Sequence, residues 1–206
     1  MYIWNWDWVW SYKSQLLTAT WLTLWLNLAI LFIGTIIGIC LGLLKRSKYR
    51  FVRLPAIIAI DLLRTMPVLV LLIWVYFCIP ILFNLKMSAI LTAIIVLSMN
   101  LAAFIAEIVD AGIEAVPRVH IESGTLLGLS RNQNLRFIIL PLALRNMTPP
   151  MVGQYINTIK LSVLASVISV PELLNVSQDI ITQTFRPLEF YTILAIIFLL
   201  MGISKN

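Results

Sequence analysis

From Leu16 to Leu44 the chain runs for 29 residues without a charged side chain. A helix needs about 20 apolar residues to cross the hydrocarbon core of a bilayer. This run can therefore span one with length to spare, tilted or with its first turns in the interface. In hydrocarbon every backbone N–H and C=O must find a partner within the structure, so spanning segments are helices or closed barrels, and an unbroken apolar run of this length reads as a helix. Four more stretches follow: Ile57 to Leu82, with Pro67 inside it and Pro80 near its end, then Ala89 to Val109, Thr148 to Val170, and Phe190 to Ile203. The fourth has clear expected ends: Thr148 can cap, Pro149 suits a first turn, and Pro171 stops the helix. The fifth is short; it starts earlier, leans on neighbours, or is cut off by the chain end. The expected fold is an all-α membrane protein of about five transmembrane helices, one domain over residues 1–206.

Composition excludes several other classes. Only 12% of residues are charged and 61% are hydrophobic, against about a quarter charged in soluble domains. The net charge of +6 does not mark a nucleic-acid binder, because the basic residues lie in short runs between apolar segments, where the positive-inside rule expects them. Cys40 and Cys78 each sit in an apolar run without CxxC spacing, and a lone His120 cannot complete a His/Cys metal cluster. The segment Met1 to Trp10 is rich in Trp and not basic, unlike a cleavable signal peptide.

Charge also orients the chain. Lys45, Arg46, Lys48, Arg50 and Arg53 follow the first span, and Arg118, Arg131, Arg136 and Arg145 precede the fourth. The opposite side has Lys13, Lys86 and Arg186 among Asp7, Glu172, Asp179 and Glu189. The first two groups are expected on the cytoplasmic side, with the N-terminus outside and the C-terminus inside. Trp4, Trp6, Trp8 and Trp10, with Trp21 and Trp25, then form an outer aromatic belt; a β-strand is the other reading of the alternating tryptophans. Gly34, Gly38 and Gly42 repeat every fourth residue, a spacing that lets helix backbones approach closely in lipid.

A passive bundle needs only short connections, yet residues 110–147 separate the third and fourth spans. Pro117 can open a helix through Leu127, with Gly128 as its stop. Ser130 stands three residues before Gln133, a capping-box spacing that starts a second helix, which Pro141 interrupts. The segment reads as a helical hairpin carrying Glu122, Arg131 and Arg136, either presented to a partner or lying on the membrane surface.

Here the residues resemble a known family. Glu122-Ser123-Gly124, Gly128-Leu129-Ser130 and Ile139-Leu140-Pro141-Leu142-Ala143 are similar to the "EAA" coupling loop of ABC importer permeases. Arg64-Thr65-Met66-Pro67 resembles the R-G-T-P of the polar amino-acid uptake branch. Ala103 to Ile108 resembles its A-Y-x-A-E, and Lys160 to Leu164 its K-D-T-S-L. The motifs occur in order along nearly the whole chain. Departures include Ser123-Gly124 for the paired alanines, Val119-His120 for G-Q, Asp110 for an arginine, Leu71 for a glutamine and Leu161 for the acid of the Lys-Asp pair. A Gly inside the first hairpin helix costs it roughly 1 kcal/mol, so that helix is expected to be softer than usual.

The resemblance implies a type I importer permease in the bacterial inner membrane that pairs with itself or a sister subunit. Two ATPase subunits would dock on Glu122, Ser123, Gly124, Gly128, Ser130 and Pro141, and an external binding protein would deliver the amino acid. The chain has no G-x-x-x-x-G-K phosphate loop, so ATP and Mg²⁺ are expected on the partners, with no cofactor on this chain. It is expected to be a transport subunit and not an enzyme. The alternative is a membrane-anchored assembly subunit whose hairpin docks a soluble partner.

Polar residues within the spans are the candidates for a substrate pathway, since an intramembrane charge costs at least about 2.5 kcal/mol near the centre. These are Arg64, Asn100, Glu107, Gln154, Asn157, Thr158, Lys160 and Ser162. Asp61, three residues from Arg64, is its expected intrahelical partner. Glu107 suits either gate closure or helix pairing. Gln154, Thr158, Ser162, Ser166 and Ser169 fall on one helical stripe, as a hydrated pathway or a tight helix contact requires. Lys160 projects away from that stripe. The balance of Arg64 and Lys160 against a missing acid at Leu161 suits an acidic or neutral amino acid better than a cationic one.

Overall fold

The computed structural model describes residues 2–203, and no strand occurs among them. The expected inside position of the C-terminal end falls on residues outside that range. After an extended start come α1 (Asp7–Ser11), α2 (Lys13–Lys45), α3 (Arg50–Thr65), α4 (Val68–Phe83) and α5 (Ala89–Glu114). Next are α6 (Arg118–Leu126), α7 (Arg131–Asn134), a π-helical turn (Leu135–Ile139) and α8 (Leu140–Leu161). A 3₁₀ segment (Ser162–Ile168), α9 (Leu173–Thr184) and α10 (Pro187–Ile203) complete the order. The tryptophan-rich start is thus partly helical and not a strand. Trp10 and Trp21 are largely exposed, as a belt facing lipid headgroups requires.

Three stretches are long and apolar enough to cross a membrane: α2, α5 and the continuous helical run Arg131–Ile168. The second expected span is broken. Pro67 has no N–H and pushes its predecessor out of the helical region, and Met66 is extended at φ −74°, ψ 133°. Helices α3 and α4 make a fourth span if taken together, and α10 is apolar but shorter. The fourth expected span also begins differently. Thr148 does not cap; its hydroxyl donates to the Leu144 carbonyl at 2.7 Å within a helix that carries Pro149 and Pro150 internally. Its far end is as expected, with Ser169 left-handed at φ 61° ahead of Pro171.

The described residues form two compact units. The first gathers Met1–Ile30, Val68–Leu97 and Ile156–Asn206. Its core joins Leu16 and Ala19 of α2 to Leu173 and Ile180 of α9 and Phe190 of α10. The Thr23 hydroxyl, 0% exposed, accepts from the Leu173 N–H at 3.0 Å. Glu172 caps α9, accepting from the Asn175 N–H at 2.9 Å. Its other carboxylate oxygen is buried without a partner, and burial raises its pKa above the ordinary glutamate value. In the N-terminal segment, the Tyr2 hydroxyl and the Asn5 N–H both donate to the buried Glu189 carboxylate.

The second unit gathers Leu31–Pro67 and Ser98–Tyr155. Here the glycine repeat acts as its spacing predicts. A Cβ on Gly34 would lie 2.9 Å from the Ser98 carbonyl, one on Gly38 2.6 Å from the Ile105 Cβ, and one on Gly42 2.8 Å from the Ala106 carbonyl. Helix α2 therefore rides directly on the backbone of α5, and the buried Leu101, Ile105 and Ala106 fill the seam.

Candidate functional site

The hairpin is built by caps and one buried amide. Pro117 precedes α6 with an extended backbone, and Gly128 ends that helix at φ +81°. Only glycine reaches this region without a steric cost. The capping box is present: the Ser130 N–H donates to Gln133 Oε1 at 2.8 Å, and the Gln133 N–H donates to Ser130 Oγ at 3.4 Å. Asn134, 5% exposed, ties the two arms together by donating to the Ile121 carbonyl at 2.7 Å. It was invisible as a site residue in the sequence, where only its place four residues after Ser130 set it apart.

Gly124 has a packing role between the two arms. A Cβ there would come 2.5 Å from Ile138 Cδ1 and 2.9 Å from Asn134 Oδ1, so the missing side chain is what lets the arms close. Pro141 does not interrupt the second arm either. Its ring would clash with the carbonyl four residues earlier in an α-helix, and the wider turn at Leu135–Ile139 absorbs the conflict, so the chain stays helical into α8. Glu122 and Ser123 are exposed, and the Ser123 hydroxyl donates to the Val119 carbonyl at 2.7 Å. Val119, Leu126 and Leu127 are exposed as well. The result is an internally hydrogen-bonded, partly apolar surface.

The pathway candidates divide between the units. Arg64, Asn100, Glu107 and Gln154 belong to the second; Asn157, Thr158, Lys160 and Ser162 belong to the first. In the second unit Arg64, in the last turn of α3, does not pair with Asp61. Its guanidinium lies 3.3 Å from Glu107 Oε1 and over the Phe104 ring. Asn100 donates to the Leu63 carbonyl at 3.4 Å, which helps seat the end of α3 on α5. Lys45 also reaches Glu107 Oε1, at 2.6 Å, and Asp110 at 3.0 Å; Arg46 meets Asp110 at 2.7 Å. One carboxylate oxygen is thus shared by two cations from different helices. Lys45 as the partner of Glu107, and Asp110 as a second acid bound by the same lysine, were missed in sequence, although Asp110 follows Glu107 at a spacing of one helical turn. A cavity of about 390 Å³ beside the cluster is lined by Glu107, Ala111, Gly112, Asn146 and Pro150.

In the first unit Ser162 is 1% exposed; it donates to the Ile159 carbonyl at 2.8 Å and accepts from Asn27 Nδ2 at 3.1 Å. Asn27 and Thr23, four residues apart in the charge-free run, carried a polar signal that span-counting passes over. Thr158 is buried, while Asn157 and Lys160 are exposed, so Lys160 does project away from the stripe. That stripe is shorter than expected. From Ser162 onward the chain is 3₁₀, and its buried residues Ser162, Ala165 and Ile168 follow a period of three, which turns Ser166 and Ser169 off the face.

With this geometry in place, comparison with known proteins is direct. Residues 16–204 match the family described as binding-protein-dependent transport system inner membrane component. The glutamine transport system permease protein GlnP of Escherichia coli (strain K12) is 33% identical over 198 residues, covering 96% of this chain and 90% of that protein. A Bacillus subtilis (strain 168) protein named as an amino-acid ABC transporter permease, YckA, is 38% identical over 176 residues, covering 85% and 77%. The crystal structure of an amino acid ABC transporter with histidines superposes with a TM-score of 0.91 at 28% identity, covering 99% of this chain and 94% of that one. The MetNI methionine ABC transporter in an inward-facing conformation shares the fold at a TM-score of 0.72 and 20% identity, covering 91% and 90%. A match along nearly the whole chain, in sequence and in fold, places this protein in the family of binding-protein-dependent transport system inner membrane components, as an ABC importer permease.

Proposed function

We propose that this permease moves a polar amino acid with a neutral or acidic side chain inward across the cytoplasmic membrane by alternating access. Two ATPase subunits bind ATP and Mg²⁺ and dock on the hairpin, a second permease subunit completes the bundle, and an external binding protein delivers the substrate. The N-terminus lies outside. The observation that carries the reading is the hairpin itself: capped where its arms meet by Gly128 and the Ser130–Gln133 box, closed by Asn134 and exposing Glu122, Leu126 and Leu127. A long connection held this firmly suits the transmission of a partner's motion.

The substrate class follows from charge. The cluster sets Lys45, Arg46 and Arg64 against Glu107 and Asp110, and Lys160 is exposed and has no ion pair among the described residues. A positive surplus favours a carboxylate and disfavours a second ammonium, since an unpaired charge is costly away from water. The relative in Escherichia coli, named for glutamine, supports a neutral side chain. Reconstitution with the ATPase and binding protein, followed by ATPase stimulation across an amino-acid panel, tests this. Glutamine, asparagine or glutamate is expected to stimulate best; strongest stimulation by arginine, lysine or histidine would overturn the substrate class.

A further inference from the structure

The second unit contains a partly enclosed cavity of about 360 Å³ that none of the assigned roles uses. Its walls come from Ile39 and Leu43 of α2, Val109 and Ile113 of α5, the π turn, and Ala143 and Met147 of α8, all of them apolar. A cavity of roughly 150 Å³ with such walls stays dry and takes benzene. Water has no partner in the larger one either, so the fitting occupant is hydrocarbon.

Charge around the cavity narrows the choice. Within one helical turn of lining residues stand Lys45, Arg46, Arg131, Arg136 and Arg145, against Glu107, Asp110 and Glu114. Lys45 and Arg46 are already bound to Glu107 and Asp110. Arg131, Arg136 and Arg145 remain exposed and have no ion pair among the described residues, with Glu114 the one remaining acid. Arg136 stands in the π turn next to the lining residue Leu135, with its guanidinium 5.9 Å from the Phe137 ring. Unpaired basic groups next to the walls of an apolar pocket between membrane helices fit an anionic lipid headgroup.

We propose that this cavity is a binding site for an anionic phospholipid, one acyl chain filling it and the phosphate meeting Arg136. The cytoplasmic leaflet is assigned on the functional reading above; the site itself depends only on the cavity and its charge.

The test uses the full-length chain in the complex in which it purifies, stripped with detergent and equilibrated with equal amounts of phosphatidylglycerol and phosphatidylethanolamine. Native mass spectrometry then counts retained lipids. Phosphatidylglycerol is expected to be retained in severalfold preference. Ala143→Leu, which pushes three more carbons into the cavity, should reduce retention severalfold. Arg136→Gln, at an exposed position that leaves the core untouched, should keep a lipid but lose the preference. No retained lipid, equal retention of the two lipids by the unaltered chain, or unchanged preference in Arg136→Gln would each overturn the proposal. So would cross-linking through a cysteine at Leu140 to a second copy, which would make the cavity a subunit contact. ATPase stimulation on the same samples separates the readings: its loss with lipid retention intact counts against transport and leaves the lipid site standing.

Discussion

Two glycines in spanning helices look alike in sequence and carry opposite predictions. At Gly38 an added Cβ would meet Ile105 Cβ at 2.6 Å and the Ala102 carbonyl at 2.8 Å, whereas nothing lies within 4 Å of one at Gly153. Gly38→Val must push α2 off α5, an overpacking worth about 1–3 kcal/mol or more. Gly153→Ala trades backbone freedom for helix propensity, a gain of roughly 0.5–1 kcal/mol. Thermal unfolding of the purified protein should show a lower transition for the first and an unchanged or higher one for the second; equal behaviour would remove the close seam. The repeat at Gly34, Gly38 and Gly42 made the first glycine legible, because period alone signals a shared face. Arg64 was legible only as costly. Spacing ranks neighbours on the same helix and so offered Asp61, whereas Glu107, on a distant stretch of chain, supplies the carboxylate at 3.3 Å.

At the scale of elements, the hairpin divides into what local rules reach and what they do not. Its starts and stops followed from Pro117, Gly128 and the Ser130–Gln133 box, each a local pattern with a backbone cause. Its closure depends on Asn134, whose partner Ile121 lies on the other arm, and no window of sequence contains that contact. Asn134→Ala removes the inter-arm donor and leaves the Ile121 carbonyl with the Thr125 hydroxyl of its own helix, a loss of about 0.5–1.5 kcal/mol for one hydrogen bond. The expected outcome is faster amide exchange across Arg118–Leu126 with the rest of the second unit unchanged; exchange spread evenly over the molecule would argue against a hairpin-specific clasp. Pro141 misled because a proline is read as a break, while the π turn ahead of it lets the helix continue. Pro67 and the 3₁₀ segment show the reverse: a change of helix type or direction inside an apolar run leaves composition untouched, so hydropathy alone draws one span where the chain makes two elements.

For the molecule as a whole, charge and apolar length were enough to give the class, and the basic runs predict a topology that labelling can test. Cysteines placed at Lys48 and Arg131 are expected to react with a membrane-impermeant maleimide only after permeabilisation, whereas one at Trp4 should react in intact cells. Labelling of Lys48→Cys from outside would reverse the orientation. Each compact unit is also assembled from stretches far apart in the chain, and they are not finished together. The unit with the ionic cluster and the hairpin needs nothing beyond Tyr155, while the other waits for Ile156–Asn206. At a synthesis rate of about 5–20 residues per second, the ribosome takes roughly 3–10 s to add that last stretch. During that interval a nascent chain holds every residue of the first-finished unit, while Leu16, Ala19, Thr23 and Asn27 still await their partners Leu173, Ile180, Phe190 and Ser162.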